Sequence, residues 1–163
     1  MRKRCLQESY APASVCFGCG PANRRGLRIR SFVEGGVVVA RWRPRPYHHA
    51  FGGFLNGGII STVLDCHSNW TAAYALMTNS GAKKLPPTVS SSVTVDFIKP
   101  TPMTAMLIEG RAIEVAGRRV TVESTLKAEG VVTATLRGTF VAVGPGHPAA
   151  SRWTVGQERT GAV

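Results

Sequence analysis

Asp65 is the only charged residue between His48 and Ala82, and it stands in the middle of an apolar stretch. A carboxylate in such surroundings is costly unless it is paired, protonated or used, and burial raises its pKa toward the range of a general base working near neutrality. Nine residues earlier, Asn56-Gly57-Gly58 opens the stretch. Asparagine is a good N-cap. Two glycines at the first helical positions cost about 1 kcal/mol each against alanine. They are useful where a ligand must approach the backbone, because free N–H groups and the positive end of the helix dipole can hold a developing oxyanion. Gly58 and Asp65 are seven residues apart, about two turns, so they share a helix face. A donor and a carboxylate on one face could serve a carbonyl substrate. A purely structural reading stays open here: Asn56 as a cap, the glycines as a tight turn, and Asp65 satisfied by a backbone group or a tyrosine.

The elements that would position these groups follow from periodicity. Leu55, Ile59, Ile60, Val63, Leu64, Trp70, Ala73, Tyr74 and Met77 recur at three- and four-residue intervals, which predicts a helix apolar nearly all round that something must wrap. Residues 27–33 alternate apolar and polar, Glu34-Gly35-Gly36 is a hairpin-type turn, and residues 37–43 return as a second strand. After a breaker-rich loop at 79–87, residues 89–99, 104–116, 118–128 and 131–143 are long, β-branched and alternating, with turns at Gly117 and Glu129-Gly130. The pattern predicts an antiparallel meander, and hence an α+β fold in which one curved sheet of five to six strands wraps one long helix. One helix covers only one face of a sheet, so pairing with a second copy through the sheet is expected.

Composition narrows the function classes. The 163 residues are 44% hydrophobic, which suits one globular domain with a full core. The expected division is a lead-in over 1–20, a domain over 21–143 and a loose Gly/Pro/polar tail over 144–163. The basic N-terminus lacks the apolar segment of a signal peptide, and no apolar run is long enough to span a membrane, so a cytoplasmic protein without membrane partners is expected. Net charge is +11, with +8 of it in residues 1–45. That bias suggests an anionic partner, but no nucleic-acid fold signature or aromatic run accompanies it, and nucleic acid is not the expected partner. Cys16-Phe-Gly-Cys19 is a single C-x-x-C, without the second pair or spaced histidines of a structural zinc site, and Gly20-Pro21 denies it the helix of a redox motif. Reduced thiols in a packed turn, with no metal, are the expectation.

The segments Pro46-Tyr47-His48, Gly53-Phe-Leu-Asn56-Gly-Gly-Ile-Ile-Ser-Thr-Val-Leu-Asp65 and Val95-Asp-Phe-Ile-Lys-Pro100, with the lead-in Cys16-Phe-Gly-Cys19-Gly-Pro-Ala-Asn-Arg-Arg-Gly-Leu27, resemble the hotdog-fold acyl-CoA thioesterases of the PaaI/THEM4-like group. The resemblance covers roughly residues 16–143. It implies a hotdog fold, a homodimer or dimer of dimers with active sites at the interface between chains, and hydrolysis of an acyl-CoA in which CoA is part of the substrate and no separate cofactor is needed. Asp65 then matches the general base or nucleophile. Gly57 and Gly58 match the helix N-terminus whose amide, taken as that of Gly58, polarises the thioester carbonyl. His48 matches an upstream histidine or polar residue near the entrance. Ser90, with Thr88 beside it, matches the strand that presents a water-positioning hydroxyl from the partner chain. Lys99, Arg118 and Arg119 stand at strand ends or turns that could face the CoA nucleotide. Asn56 occupies the usual histidine position and can donate a hydrogen bond but cannot titrate. A non-catalytic acyl-CoA or small-ligand binder on the same fold is the alternative.

Overall fold

The computed structural model describes residues 4–153. The chain runs α1 (Leu6–Tyr10), β1 (Ser31–Glu34), β2 (Val37–Trp42), a 3-10 turn (Pro46–His48), β3 (His49–Phe51), β4 (Phe54–Leu55), α2 (Gly57–Ser80), β5 (Thr88–Phe97), β6 (Met106–Ala116), β7 (Arg119–Ala128) and β8 (Val131–Ala142). The long apolar run is α2, and its limits are chemical. Asn56 Oδ1 accepts from the amides of Gly58 and Ile59 at one end, and Gly81, at φ 68°, terminates the other in the left-handed region that glycine favours.

Six strands form one antiparallel sheet in the order β1-β2-β6-β7-β8-β5, while β3 and β4 form a separate ribbon. The sheet wraps α2. Val63, Leu64 and Trp70 of the helix share one buried core with Ile108, Val122, Leu126, Leu136 and Phe140. The helix lies close because β6 carries Gly110, where a Cβ would come within 2.4 Å of Thr71 Oγ1. An alanine there would displace the Thr71 hydroxyl from its hydrogen bond to the His67 carbonyl.

Three expectations are corrected. The last four strands are not a simple meander: β6, β7 and β8 are, but β5 crosses to pair with β8 at the sheet edge. Pro100 and Pro102 deny β5 a tight hairpin with β6, so the chain passes across the sheet end, where Pro102 bridges Phe54. The first strand does not begin at residue 27. Arg28 has φ 54°, and the amides of Leu27 and Ile29 donate to the carbonyls of Phe17 and Gly18, so this segment pairs with the lead-in. The tail is not loose as far as it is described: Trp153 is buried and stacks on Trp70 at 4.5 Å between ring centroids. Residues 154–163 lie outside the described residues.

The edge strand β5 bears directly on the site. Its outer backbone edge has no partner strand among the described residues, and Val93, Phe97 and the following Ile98 are 43%, 56% and 52% exposed. A long edge carrying apolar side chains is a template for another strand. No described helix is long and apolar enough to cross a membrane.

A buried polar network pins α1 to α2. His67 is fully buried, with Nδ1 2.9 Å from Ser31 Oγ and Nε2 3.0 Å from Val38 O, so the neutral ring donates from Nε2 to the carbonyl and accepts at Nδ1. Gln7 closes the network by donating from Nε2 to Ser31 Oγ and accepting from the Ser31 amide. Burial pushes the His67 pKa down from 6.5 to about 4. The unfolded chain therefore takes up this proton before the folded one does, so its contribution to stability is whole above pH 6.5 and is lost as pH falls toward 4. The shift corresponds to about 3 kcal/mol. Urea midpoints taken from about pH 7 to about pH 4 should fall steeply in the wild type and less steeply in His67→Gln, whose amide offers a donor and an acceptor but no titration.

Candidate active site

The carboxylate of Asp65 is half-buried on α2 and accepts a hydrogen bond from Ser90 Oγ of β5 at 2.6 Å. Burial is the largest influence on its pKa and raises it above 3.8; the Ser90 hydroxyl and the positive charge of Arg152 pull the other way, and Cys16 adds to the rise. The pair is therefore a carboxylate poised above its ordinary range beside an exposed hydroxyl on an edge strand. Ser90 makes this contact with Asp65 of its own chain.

The second half of the site is the N-terminus of α2. Gly58 was the expected oxyanion donor, but its N–H is spent on Asn56 Oδ1 at 2.8 Å, and that of Ile59 is turned to the same oxygen at 3.3 Å. The N–H of Gly57, the first helical residue, has no acceptor among the described residues. The free N–H at this helix end is thus one residue earlier than expected. Phe97 of β5 lies against it, 3.4 Å from where a Cβ on Gly57 would stand.

These halves cannot act together within one chain. Asp65 stands eight steps along the helix from Gly57, a rise of about 12 Å, whereas an oxyanion donor and a base on one carbonyl must both lie within hydrogen-bond reach of the reacting group. Sharing a helix face does not bring them close, and the single-helix arrangement that the spacing suggested fails on distance.

Solved structures with the same architecture are available for comparison. A thioesterase superfamily protein from Shewanella loihica is 29% identical, with a TM-score of 0.62 over 76% of this chain and 98% of that one. The PaaI protein from the phenylacetic acid degradation operon of Escherichia coli is 14% identical, with a TM-score of 0.60 over 72% of this chain and 81% of its own. The chain has the hotdog fold of the thioesterase superfamily. A Streptococcus mutans protein on the same fold, solved bound to acetyl-CoA, is 18% identical with a TM-score of 0.58 over 71% of this chain and 89% of its own. No protein-family model matches the chain, and no curated protein sequence matches it significantly.

Within the hotdog frame the remaining predicted residues separate. Thr88 is fully buried and donates to the side chain and carbonyl of Asn69, one turn beyond Asp65, so it fastens β5 to α2 instead of facing the carboxylate. His48 stacks on Trp42, its Nδ1 accepts from the Arg45 amide at 3.1 Å, and its carbonyl receives the Asn56 amide. Burial, then the charge of Arg45, lowers its pKa. It shapes the approach to the helix cap. Arg118 and Arg119 lie at the Thr88 end of the sheet, since Arg119 pairs with Val141 of β8 and Val89 does the same. Lys99 lies at the other end, donating its amide to Thr133. One chain does not gather these three. Phe51 is exposed, and Trp70 is buried against Trp153.

Two participants were missed from the sequence. Arg152 acts on Asp65 electrostatically while its Nη1 donates to the Thr88 carbonyl at 2.8 Å. A tryptophan next to it, in an otherwise polar tail, was the available signal that this segment docks. Cys66, the residue after Asp65, meets the C-x-x-C thiols; nothing in spacing could reveal a contact made across 47 residues.

Proposed function

We propose that the protein is an acyl-CoA thioesterase acting as a homodimer, with each site built from two chains. The observation that carries this reading is that both halves of the site flank β5: Ser90 with Asp65 at one end, Phe97 with Gly57 at the other. An antiparallel pairing of two β5 edges about a twofold near Val93 and Thr94 sets Ser90 of one chain opposite Phe97 of its partner. Asp65 then faces the partner's Gly57, which supplies what one helix cannot.

In such a site the Gly57 N–H, at the positive end of α2, holds the thioester oxygen as negative charge develops. Asp65 takes a proton from water, the resulting hydroxide adds to the carbonyl carbon, and the tetrahedral intermediate expels the CoA thiolate, which recovers a proton; the acid leaves as carboxylate. Direct attack by Asp65 to give an anhydride, then hydrolysed, uses the same groups. Ser90 holds the carboxylate and the water. Asn56 keeps the helix end in place through its Oδ1 and leaves its NH2 as a donor. The twofold also carries the partner's Lys99 toward the Arg118–Arg119 end, where the three cations suit the phosphates of CoA, which enters as substrate and not as cofactor.

The test is thiol release from short, medium, long-chain and phenylacetyl-CoA. Turnover on at least one is expected; ligand-dependent thermal stabilisation without thiol release on any would instead mark a binding protein. Ser90→Ala should lower kcat by about tenfold or more, since a hydrogen bond to a charged group is worth roughly 1.5–3 kcal/mol. Because that bond lowers the Asp65 pKa, its loss should also move the acid limb of the pH–rate profile to higher pH. An unmoved limb would separate Ser90 from the base.

A further inference from the structure

We propose that Cys16, Cys19 and Cys66 form a metal site for Zn2+, with water completing the set on the side of the half-exposed Cys16. The three sulfurs all lie within 4.8 Å of one another, although Cys66 belongs to α2 and the other two to the lead-in. The Cys16 and Cys66 sulfurs are 3.8 Å apart. That is the edge of a tetrahedron with Zn–S bonds of about 2.3 Å, which comes to about 3.8 Å. A disulfide needs about 2.05 Å and would leave the third thiol without a use.

The surroundings are built for thiolates. The Gly20 amide closes the turn onto the Cys16 carbonyl at 2.8 Å. Trp70 Nε1 donates to the Cys19 sulfur at 3.2 Å, the kind of outer contact that orients a metal ligand. Gly18 is required by the approach itself: a Cβ there would stand 2.3 Å from Cys66 Sγ. Three thiols in contact gain little from weak S–H hydrogen bonds, and three thiolates repel, whereas one soft-accepting divalent ion answers all three. Binding converts three thiols to thiolates and releases three protons, leaving a complex of net charge −1. Its position joins the lead-in to α2 at the residue after Asp65, so the ion would act as a clasp beside the candidate site. This inference stands independently of the thioesterase reading.

The experiment is metal analysis of the full chain purified from zinc-supplemented medium under reducing conditions, followed by replacement with Co2+. One zinc per chain is expected, with cobalt giving thiolate-to-metal charge transfer in the near ultraviolet and the visible bands of tetrahedral Co2+. Cys16→Ser should lose the ion, and because Cys16 is only half-buried this variant tests the site with the core intact, as circular dichroism checks. Cys5→Ser, outside the cluster, should keep it. Trp70→Phe should bind roughly 10–100-fold more weakly. Reduced wild-type protein that takes up neither ion, zinc retained equally by Cys16→Ser, or a Cys16–Cys66 disulfide in place of metal would each overturn the site.

Discussion

Asp65→Asn is expected to lower kcat for acyl-CoA hydrolysis by about 10²–10⁴-fold, the range for removing a general base, with KM little changed. Asparagine has nearly the shape of aspartate, and Ser90 Oγ can still donate to its carbonyl oxygen, so the 2.6 Å contact between β5 and α2 survives. What is lost is the capacity to take a proton or to attack. The fold should not suffer. Burial holds the Asp65 pKa above 3.8, so ionising it at neutral pH works against folding, and a neutral amide removes that burden. The Tm of the variant should equal or exceed that of the wild type at pH 7, which distinguishes lost chemistry from lost structure. In the wild type, kcat/KM should rise with pH through the raised pKa of Asp65 and then level off. Thiol release and differential scanning calorimetry read the two effects. Turnover within a few-fold of wild type would remove Asp65 from the reaction.

Much of this arrangement was legible in the sequence because it is local. The period of α2, the isolation of Asp65 and the cap chemistry of Asn56 are properties of neighbouring residues, and the fold followed from them together with the alternating strands. What was illegible is non-local. That β5 pairs with β8 and not β6 depends on how the chain crosses the sheet end at Pro100 and Pro102. That the Gly58 amide is consumed depends on which way Asn56 turns its oxygen. Helical spacing also misleads about distance: Gly58 and Asp65 do share a face, but periodicity reports angle, and two turns of rise keep them apart. The meeting of Cys66 with Cys16 and the docking of Arg152 and Trp153 are tertiary events with no local period.

A mixture of two inactive variants is expected to recover activity, and this outcome tests the shared site most directly. Gly57→Pro removes the helix-end N–H that has no acceptor among the described residues, yet the backbone suits it. Proline is favoured at the first helical position, and Asn56 before it, at φ −62° and ψ 132°, already has the extended conformation that a following proline demands. The added Cβ meets the Phe97 ring at ordinary contact distance. Loss of an oxyanion donor should cost about 10²–10³ in kcat. In the Gly57→Pro homodimer every site lacks its donor, and in the Asp65→Asn homodimer every site lacks its base. If each site takes Asp65 from one chain and Gly57 from the other, a heterodimer of the two variants has one doubly defective site and one intact site. Random re-pairing at equal amounts makes half the dimers heterodimers, so activity should return to about a quarter of the wild-type level. Re-pairing by co-expression, with two affinity tags to isolate the heterodimer, should raise this to about half. A heterodimer as inactive as its parents would mean that donor and base act from the same chain, which the rise of α2 forbids for a single carbonyl, and the thioesterase site across β5 would fall with it.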